Sequence, residues 1–275
     1  MANSTQAMTD TFITKAPPRN RRETDRRAKS LQKDLQTPER QRQWSLINKP
    51  QGITHSRPKT SLNSPLAKMS RHPTLSILQH TTMKPRDKVM ASLLRDKRII
   101  NYDLLAIQEP WRNPFMDTIH NPIPQHFELA YHNHRKARAC FFINKRIGGN
   151  QWSVTHNTPD LSTLELRWEK KDEAIVIHNV YNPVPTIEPT NNALPTLREA
   201  MGRWKQAKQV VVGDFNLHHP YGGGLKPQRT DPEAEEVLRL VEEYDLALLY
   251  EPGMITFRAQ DSETTIDLSL ATSQL

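Results

Sequence analysis

The segment from Gln209 to Tyr221, which reads QVVVGDFNLHHPY, constrains the fold more than any other stretch of this chain. The β-branched run Val210–Val212 predicts a buried strand, which Gly213 should end, so that Asp214 and Asn216 emerge together at its carboxyl end. Sheets that carry helices on their faces place ligands beyond the carboxyl ends of strands. Gly-Asp and Asn are also ordinary turn residues. The segment alone therefore leaves both a catalytic strand end and a plain turn open, and its neighbours have to decide.

From Leu75 onward the chain alternates short apolar runs with turn residues. Strands are expected at Leu75–Gln79, Asp103–Gln108, Phe127–Tyr131, Ala137–Asn144, Leu161–Trp168 and Ala174–Tyr181, with hairpin-like spacing among the later ones. Arg86–Arg98 has the apolar spacing of an amphipathic helix. A Pro- and His-rich loop is expected from Trp111 to Gln125. Ala193–Ala207 forms a second helix, and Asp231 as N-cap with Pro232 at the first helical position starts a third through Glu243. Strands at Leu246–Leu249, Met254–Phe257 and Thr265–Ala271 complete the chain. Strands outnumber helices, and hairpins mix with crossovers. This is the pattern of an α+β fold built on two packed sheets with helices outside.

Charge divides the chain. Before residue 73 there are 15 Lys and Arg against 5 Asp and Glu, a net of +10 in a chain of net +8. The body, 73–275, is therefore close to neutral, and the basic character belongs to residues 1–72. That segment has no helical or strand periodicity and is too polar to offset chain entropy by burial, so a mostly disordered tail is expected. Its cluster Arg19–Lys29 suits nuclear targeting or a non-specific contact with nucleic acid, RNA as well as DNA. The single cysteine, Cys140, excludes an internal disulfide and a Cys-based zinc site and points to an intracellular protein. No apolar run approaches a membrane span, and the amino terminus lacks the apolar segment of a signal peptide. Oligomeric state is left open.

Four predicted strand ends present polar residues in a recurring way: Gln108-Glu109-Pro110, Asn179-Val180-Tyr181-Asn182-Pro183, Gly213-Asp214-Phe215-Asn216 and Thr265-Ile266-Asp267-Leu268. Sparse carboxylates scattered over several strands suit magnesium, which keeps waters and takes one or two carboxylates plus substrate phosphate. Together with His218-His219-Pro220, these motifs resemble the endonuclease domain of non-LTR (LINE-type) retrotransposons, in the endonuclease/exonuclease/phosphatase superfamily. The likeness runs from about Leu75 to the end.

The resemblance implies a four-layer α/β/β/α sandwich and a divalent-metal phosphodiesterase, with Mg²⁺ or alternatively Mn²⁺. Such a hydrolase nicks target DNA in the nucleus so that the freed 3′ hydroxyl primes reverse transcription. Carried over by motif, Glu109 holds the metal, Asp214 orients water or protonates the leaving group, and Asn216 and Tyr181 hold phosphate oxygens. Asp267 supports a catalytic histidine. Asn182, Trp111, His218 and His219 are substrate-binding candidates. Other readings are a phosphatase of the same superfamily acting on a lipid or small phosphoester, and a nucleic-acid-binding remnant without catalysis.

Two departures qualify the match. The family pattern carries an asparagine at the end of the first strand, where this chain has Gln79, His80, Thr81, Thr82 and Met83. The family also has a Ser-Asp-His motif some twenty or more residues beyond the position of Asp267, which lies past Leu275. On this reading the last strand and catalytic loop are missing, a sheet edge is left unpaired, Asp267 lacks its histidine and catalysis is impaired. Of the histidines that are present, His218 and His219 are the obvious candidates to substitute for that histidine but are read as loop or groove residues, and His80 is a further candidate. His178 and Cys140 are expected in the core.

Overall fold

The computed structural model describes residues 74–82, 87–167, 174–185, 187–188, 191–223, 230–259 and 262–275. The basic tail and Met83 lie outside them. Two sheets form the centre. The smaller has the order β1 (Ile77–Thr81), β2 (Leu104–Gln108), β6 (Ala139–Asn144), β5 (Phe127–Tyr131). The larger has the order β11 (Leu246–Leu248), β14 (Asp267–Thr272), β10 (Lys208–Asp214), β9 (Ala174–Tyr181), β8 (Leu161–Arg167), β7 (Trp152–Thr158). Short hairpins pair β3 (Arg112–Asn113) with β4 (Thr118–Ile119), and β12 (Phe257–Ala259) with β13 (Ser262–Thr264).

Alternation along the strands assigns each side chain to a layer. In β2, Leu104 and Ala106 join Phe141 and Ile143 of β6 and Leu164, Ile177, Val210 and Val212 of the larger sheet in the core between the sheets. The intervening Leu105, Ile107, Cys140 and Phe142 face the other way, against Met90 and Leu94 of helix α1 (Asp87–Arg95) and Ile99 of the 3₁₀ turn Lys97–Asn101. Both faces are covered, so these strands are apolar throughout, as strands buried on two sides must be. On the outer side of the larger sheet, α2 (Leu194–Arg203) lies against β7 and β8 and, after the one-turn α3 (Pro220–Gly223), α4 (Ala234–Glu243) lies against β11. The result is the expected α/β/β/α sandwich.

Several local expectations differ from the structure. Gly213 does not end its strand: it sits inside β10, paired with Val180 and Leu268. A Cβ there would stand 2.0 Å from the Val180 carbonyl oxygen, so close strand approach, rather than a turn, requires glycine. Strand β7 has no counterpart in the sequence reading, because its burial is weak and its residues are mostly polar. The loop Trp111–Gln125 holds the β3–β4 hairpin. Helix α4 begins at Ala234 with Glu233 at its N-cap position and no side-chain cap, so Asp231 is not the cap. Strand β14 is flanked by β10 on one side and β11 on the other, and no unpaired edge opens at it. His178 and Cys140 are fully buried, as expected. His178 is held by Thr163 and Gln209, and burial lowers its pKa to about 4.

Candidate active site

Parallel pairing of β1 with β2 and of β9 with β10 sends their carboxyl ends to one side of each sheet. Strand β14, antiparallel to β10, begins there with Asp267 opposite Asp214. The side chains Glu109, Tyr181, Asp214, Asn216, His218 and Asp267 line one open cleft of about 780 Å³. Gln79, His80 and Thr81 from the end of β1 line it too.

Polar pins between the sheets fix this register. Fully buried Asn179 donates to the carbonyl oxygens of Cys140 at 2.8 Å and Ile107 at 3.3 Å, and accepts from the Gln108 amide. Every group is satisfied, which is what permits amides at the floor of an apolar core. Glu109 follows directly, in the left-handed region with φ 49°. Its N–H donates to Arg138 O at 2.8 Å and its carbonyl accepts from Thr82 Oγ1, so both sides of the strained peptide are tied down. Asn216 has φ 50°. Its amide donates to Asn182 O at 2.9 Å, and its N–H donates to Asp214 Oδ1 at 3.2 Å. Two non-glycine residues held in sparsely populated backbone at one cleft is the signature of a positioned site.

The cleft is strongly acidic. Burial, the charge of Asp267 and the charge of Glu109 push the Asp214 carboxyl up to about 8, against hydrogen bonds from Asn216. Burial also raises Asp267, although Thr81 Oγ1 donates to its Oδ1 at 2.8 Å and Gln79 Nε2 at 3.3 Å. The phenol of Tyr181 is hydrogen-bonded to Glu109 and is raised by burial and by the carboxylates around it. The Arg138 guanidinium lies 4.7 Å from the centre of the Tyr181 ring. Burial lowers His80, opposed by the charge of Asp267. Among the described residues, no three His, Cys, Asp or Glu side chains are arranged to hold an ion by themselves. A hard cation bound by one or two carboxylates, water and a ligand oxygen does fit the donor set, and the crowding of three carboxyl groups in one cleft, with Asp214 and Asp267 both raised, is the observation that favours it.

Of the residues singled out by sequence, Glu109, Tyr181, Asp214, Asn216, His218 and Asp267 meet in the cleft. Trp111 lies in an adjoining depression of about 540 Å³ that shares Glu109 and is also lined by Arg112, Arg135 and Lys136. Asn182 is buried and braces backbone, donating to Phe215 O and accepting from Ala193 N–H. His219 turns into its own loop, with Nδ1 accepting from the Tyr221 N–H at 3.0 Å, and lines a small apolar pocket instead.

Sequence reasoning missed Tyr250, whose hydroxyl donates to Asp267 O at 2.7 Å, and Thr256, whose Oγ1 accepts from the Ile266 and Asp267 N–H groups. It also missed Arg138 and Asp231. None of the four stands in a strand-end motif. Only their buried partners reveal them.

Comparison with known proteins agrees with this fold. Residues 175–275 match the family described as "Endonuclease-reverse transcriptase". No curated protein matches the sequence. Among solved structures, the endonuclease domain of TRAS1, a telomere-specific non-LTR retrotransposon, superposes with a TM-score of 0.54 at 13% identity, over 73% of this chain and 86% of that one. The AP endonuclease LMAP from Leishmania major gives 0.58 at 13% identity, over 73% and 80%. The APE2 catalytic domain from Xenopus laevis gives 0.53 at 13%, over 73% and 83%. The family match covers the carboxyl-terminal part of the chain, residues 175–275, and the rest of the likeness is one of fold, with the two packed sheets arranged as in these endonuclease structures.

Proposed function

We propose that this domain is a divalent-metal phosphodiesterase that nicks DNA, as the retrotransposon endonuclease it resembles is named for doing. The observation that carries the reading is the convergence of Glu109, Tyr181, Asp214, Asn216 and Asp267, from four strand ends in two sheets, on one acidic cleft. Glu109 would hold Mg²⁺ or Mn²⁺, which would polarise a phosphate oxygen and offset the charge developing on it. Tyr181 and Asn216 would hold the remaining phosphate oxygens. Asp214, which retains a proton up to about pH 8, gives that proton to the departing oxygen. Asp267, fixed by Thr81 and Gln79, keeps the second carboxylate charge beside it.

A polyanionic substrate is favoured over a small phosphoester by the adjoining depression, where Trp111, Arg112, Arg135 and Lys136 continue outward from Glu109. Long ligands with regularly spaced charge need such a continuation, and a single phosphate group does not. Conversion of supercoiled plasmid to the nicked form with Mg²⁺, stopped by chelator and by Glu109→Ala, is the expected result. Turnover of inositol or lipid phosphates without any nicking would overturn the DNA reading in favour of a phosphatase.

A further inference from the structure

The two adjacent histidines of the Gln209–Tyr221 segment are held differently, and the difference marks one of them for chemistry. Asp231, 4% exposed, does not cap α4 but turns to His218. Its Oδ2 accepts the His218 N–H at 2.9 Å and lies 3.0 Å from His218 Nδ1. The backbone closes the same loop, since the Asp231 N–H donates to His218 O at 2.9 Å. A carboxylate on Nδ1 fixes both the tautomer and the plane of the imidazole, with Nδ1 carrying hydrogen. Nε2 is then the nitrogen left with a lone pair. It makes no hydrogen bond within the described protein, and the ring lines the cleft that Asp214, Asn216 and Glu109 share. His219 has neither property.

We propose that His218 is a catalytic general base of this site and that Asp231 is its positioning residue. The arrangement is that of a base oriented by a third group, which recurs wherever a weak nucleophile must lose a proton in the transition state. The inference rests on the phosphodiesterase reading above and deepens it. In the step assigned here, a water oxygen forms a bond to phosphorus while the bond from phosphorus to O3′ breaks with its electron pair going to O3′. The water proton passes to His218 Nε2, and O3′ takes the proton of Asp214. Exchange with solvent then returns a proton to Asp214 and removes one from His218. Asp267, whose carboxylate is engaged by Thr81 and Gln79, is not required to support an imidazole.

The test uses the full chain with Mg²⁺ in single-turnover nicking, beside hydrolysis of bis(p-nitrophenyl) phosphate, whose leaving group needs no proton. His218→Gln is expected to lower the nicking rate at least about 100-fold with DNA affinity within twofold of wild type. It should lower the activated ester's hydrolysis to a similar degree, whereas Asp214→Asn should be largely rescued on that ester. Asp231→Asn keeps an acceptor for the His218 N–H and should lower the rate about tenfold with unchanged affinity and thermal midpoint. Other ionisable groups line the cleft, namely His80, Glu109, Tyr181, Asp214, Tyr250 and Asp267, so the readout is the difference in pH–rate profile between wild type and His218→Gln. Loss of the acid limb in the variant supports a base. A wild-type protein that turns over while His218→Gln equals it, or differs only in DNA affinity, overturns this inference alone. A wild-type protein that hydrolyses neither substrate overturns the proposed function and this inference together.

Discussion

Two clusters of buried charge meet at Tyr181, and they are opposites. Behind the ring, Arg138 binds Asp160 through two nitrogens at 2.6 and 2.8 Å and Glu188 at 2.7 Å, and Asn191 adds a donor to Asp160. The buried guanidinium is matched by the buried Asp160 carboxylate, and the second carboxylate, Glu188, keeps its contact with solvent. On the hydroxyl side, Glu109, Asp214 and Asp267 gather with hydroxyl, amide and backbone donors, and burial together with charges of one sign raises Asp214 to about 8. The first cluster is what a scaffold looks like after its electrostatics have been satisfied. The second costs folding free energy and is retained where a ligand supplies the missing charge. Tyr181 joins them, with its ring on the balanced cluster and its oxygen on the unbalanced one.

The contrast breaks if the acidic cluster turns out to be structural. Asp214→Asn should reduce nicking by about 10³-fold or more and yet stabilise the metal-free protein. The sign follows from linkage: a carboxyl raised from 3.8 to about 8 on folding imposes no penalty below pH 4. The penalty grows between pH 4 and 8 and is complete above. The gain from Asp214→Asn should therefore be largest at pH 8, of order 1 kcal/mol or more and roughly 3 °C in thermal midpoint, and disappear near pH 4. Destabilisation at pH 8 would show that Asp214 holds the fold.

The balanced cluster should respond in the reverse sense. Arg138→Met leaves Asp160 buried without its cation and is expected to cost about 3 kcal/mol, read by denaturant unfolding, while the residual folded protein keeps its Mg²⁺ response. That response is the next smaller effect. Mg²⁺ at a hundredfold excess over its dissociation constant should add about 2.7 kcal/mol, and Glu109→Gln should remove most of the gain in a thermal melt. An unchanged melt in wild type would separate the acidic cluster from any cation.

What the sequence made legible follows the same division. Val210–Val212 and the continuous apolar run Leu104–Ile107 announce their strands because burial on both faces demands apolar residues. Glu109, Asp214 and Asp267 stand out because polar groups flanking such runs are out of place unless they work. Strand β7 was invisible, since residues such as Thr155 and His156 satisfy a half-exposed strand as well as a loop. Asp231 reads locally as a helix cap because Asp-Pro before an apolar-periodic run has that meaning, and its partner His218 lies thirteen residues earlier. Arg138 could not be placed either, as its partners Asp160 and Glu188 are 22 and 50 residues away. Local chemistry reaches strand ends, whereas a charge pair closed by tertiary contact leaves no periodic trace.

The smallest effect concerns the point where this chain departs from the pattern it resembles. At the end of β1 stands Thr81, and its one hydroxyl proton can serve either Asp267 Oδ1 at 2.8 Å or Gln108 Oε1 at 3.1 Å. The carboxylate is the stronger acceptor, so Thr81 orients Asp267 and damps its raised pKa. Thr81→Val keeps the shape and removes that donor. It should cost about 1 kcal/mol and lower nicking several-fold, because Gln79 and the Tyr250 hydroxyl still hold the residue at its amide and backbone contacts. Thr81→Asn restores a donor and adds a carbonyl oxygen facing the acidic cleft, so its activity should equal or exceed that of wild type at limiting Mg²⁺. If Thr81→Val and Thr81→Asn were equally impaired, the size of the side chain at this strand end would matter more than its hydrogen bond, and Asp267 would owe its position to β14 alone.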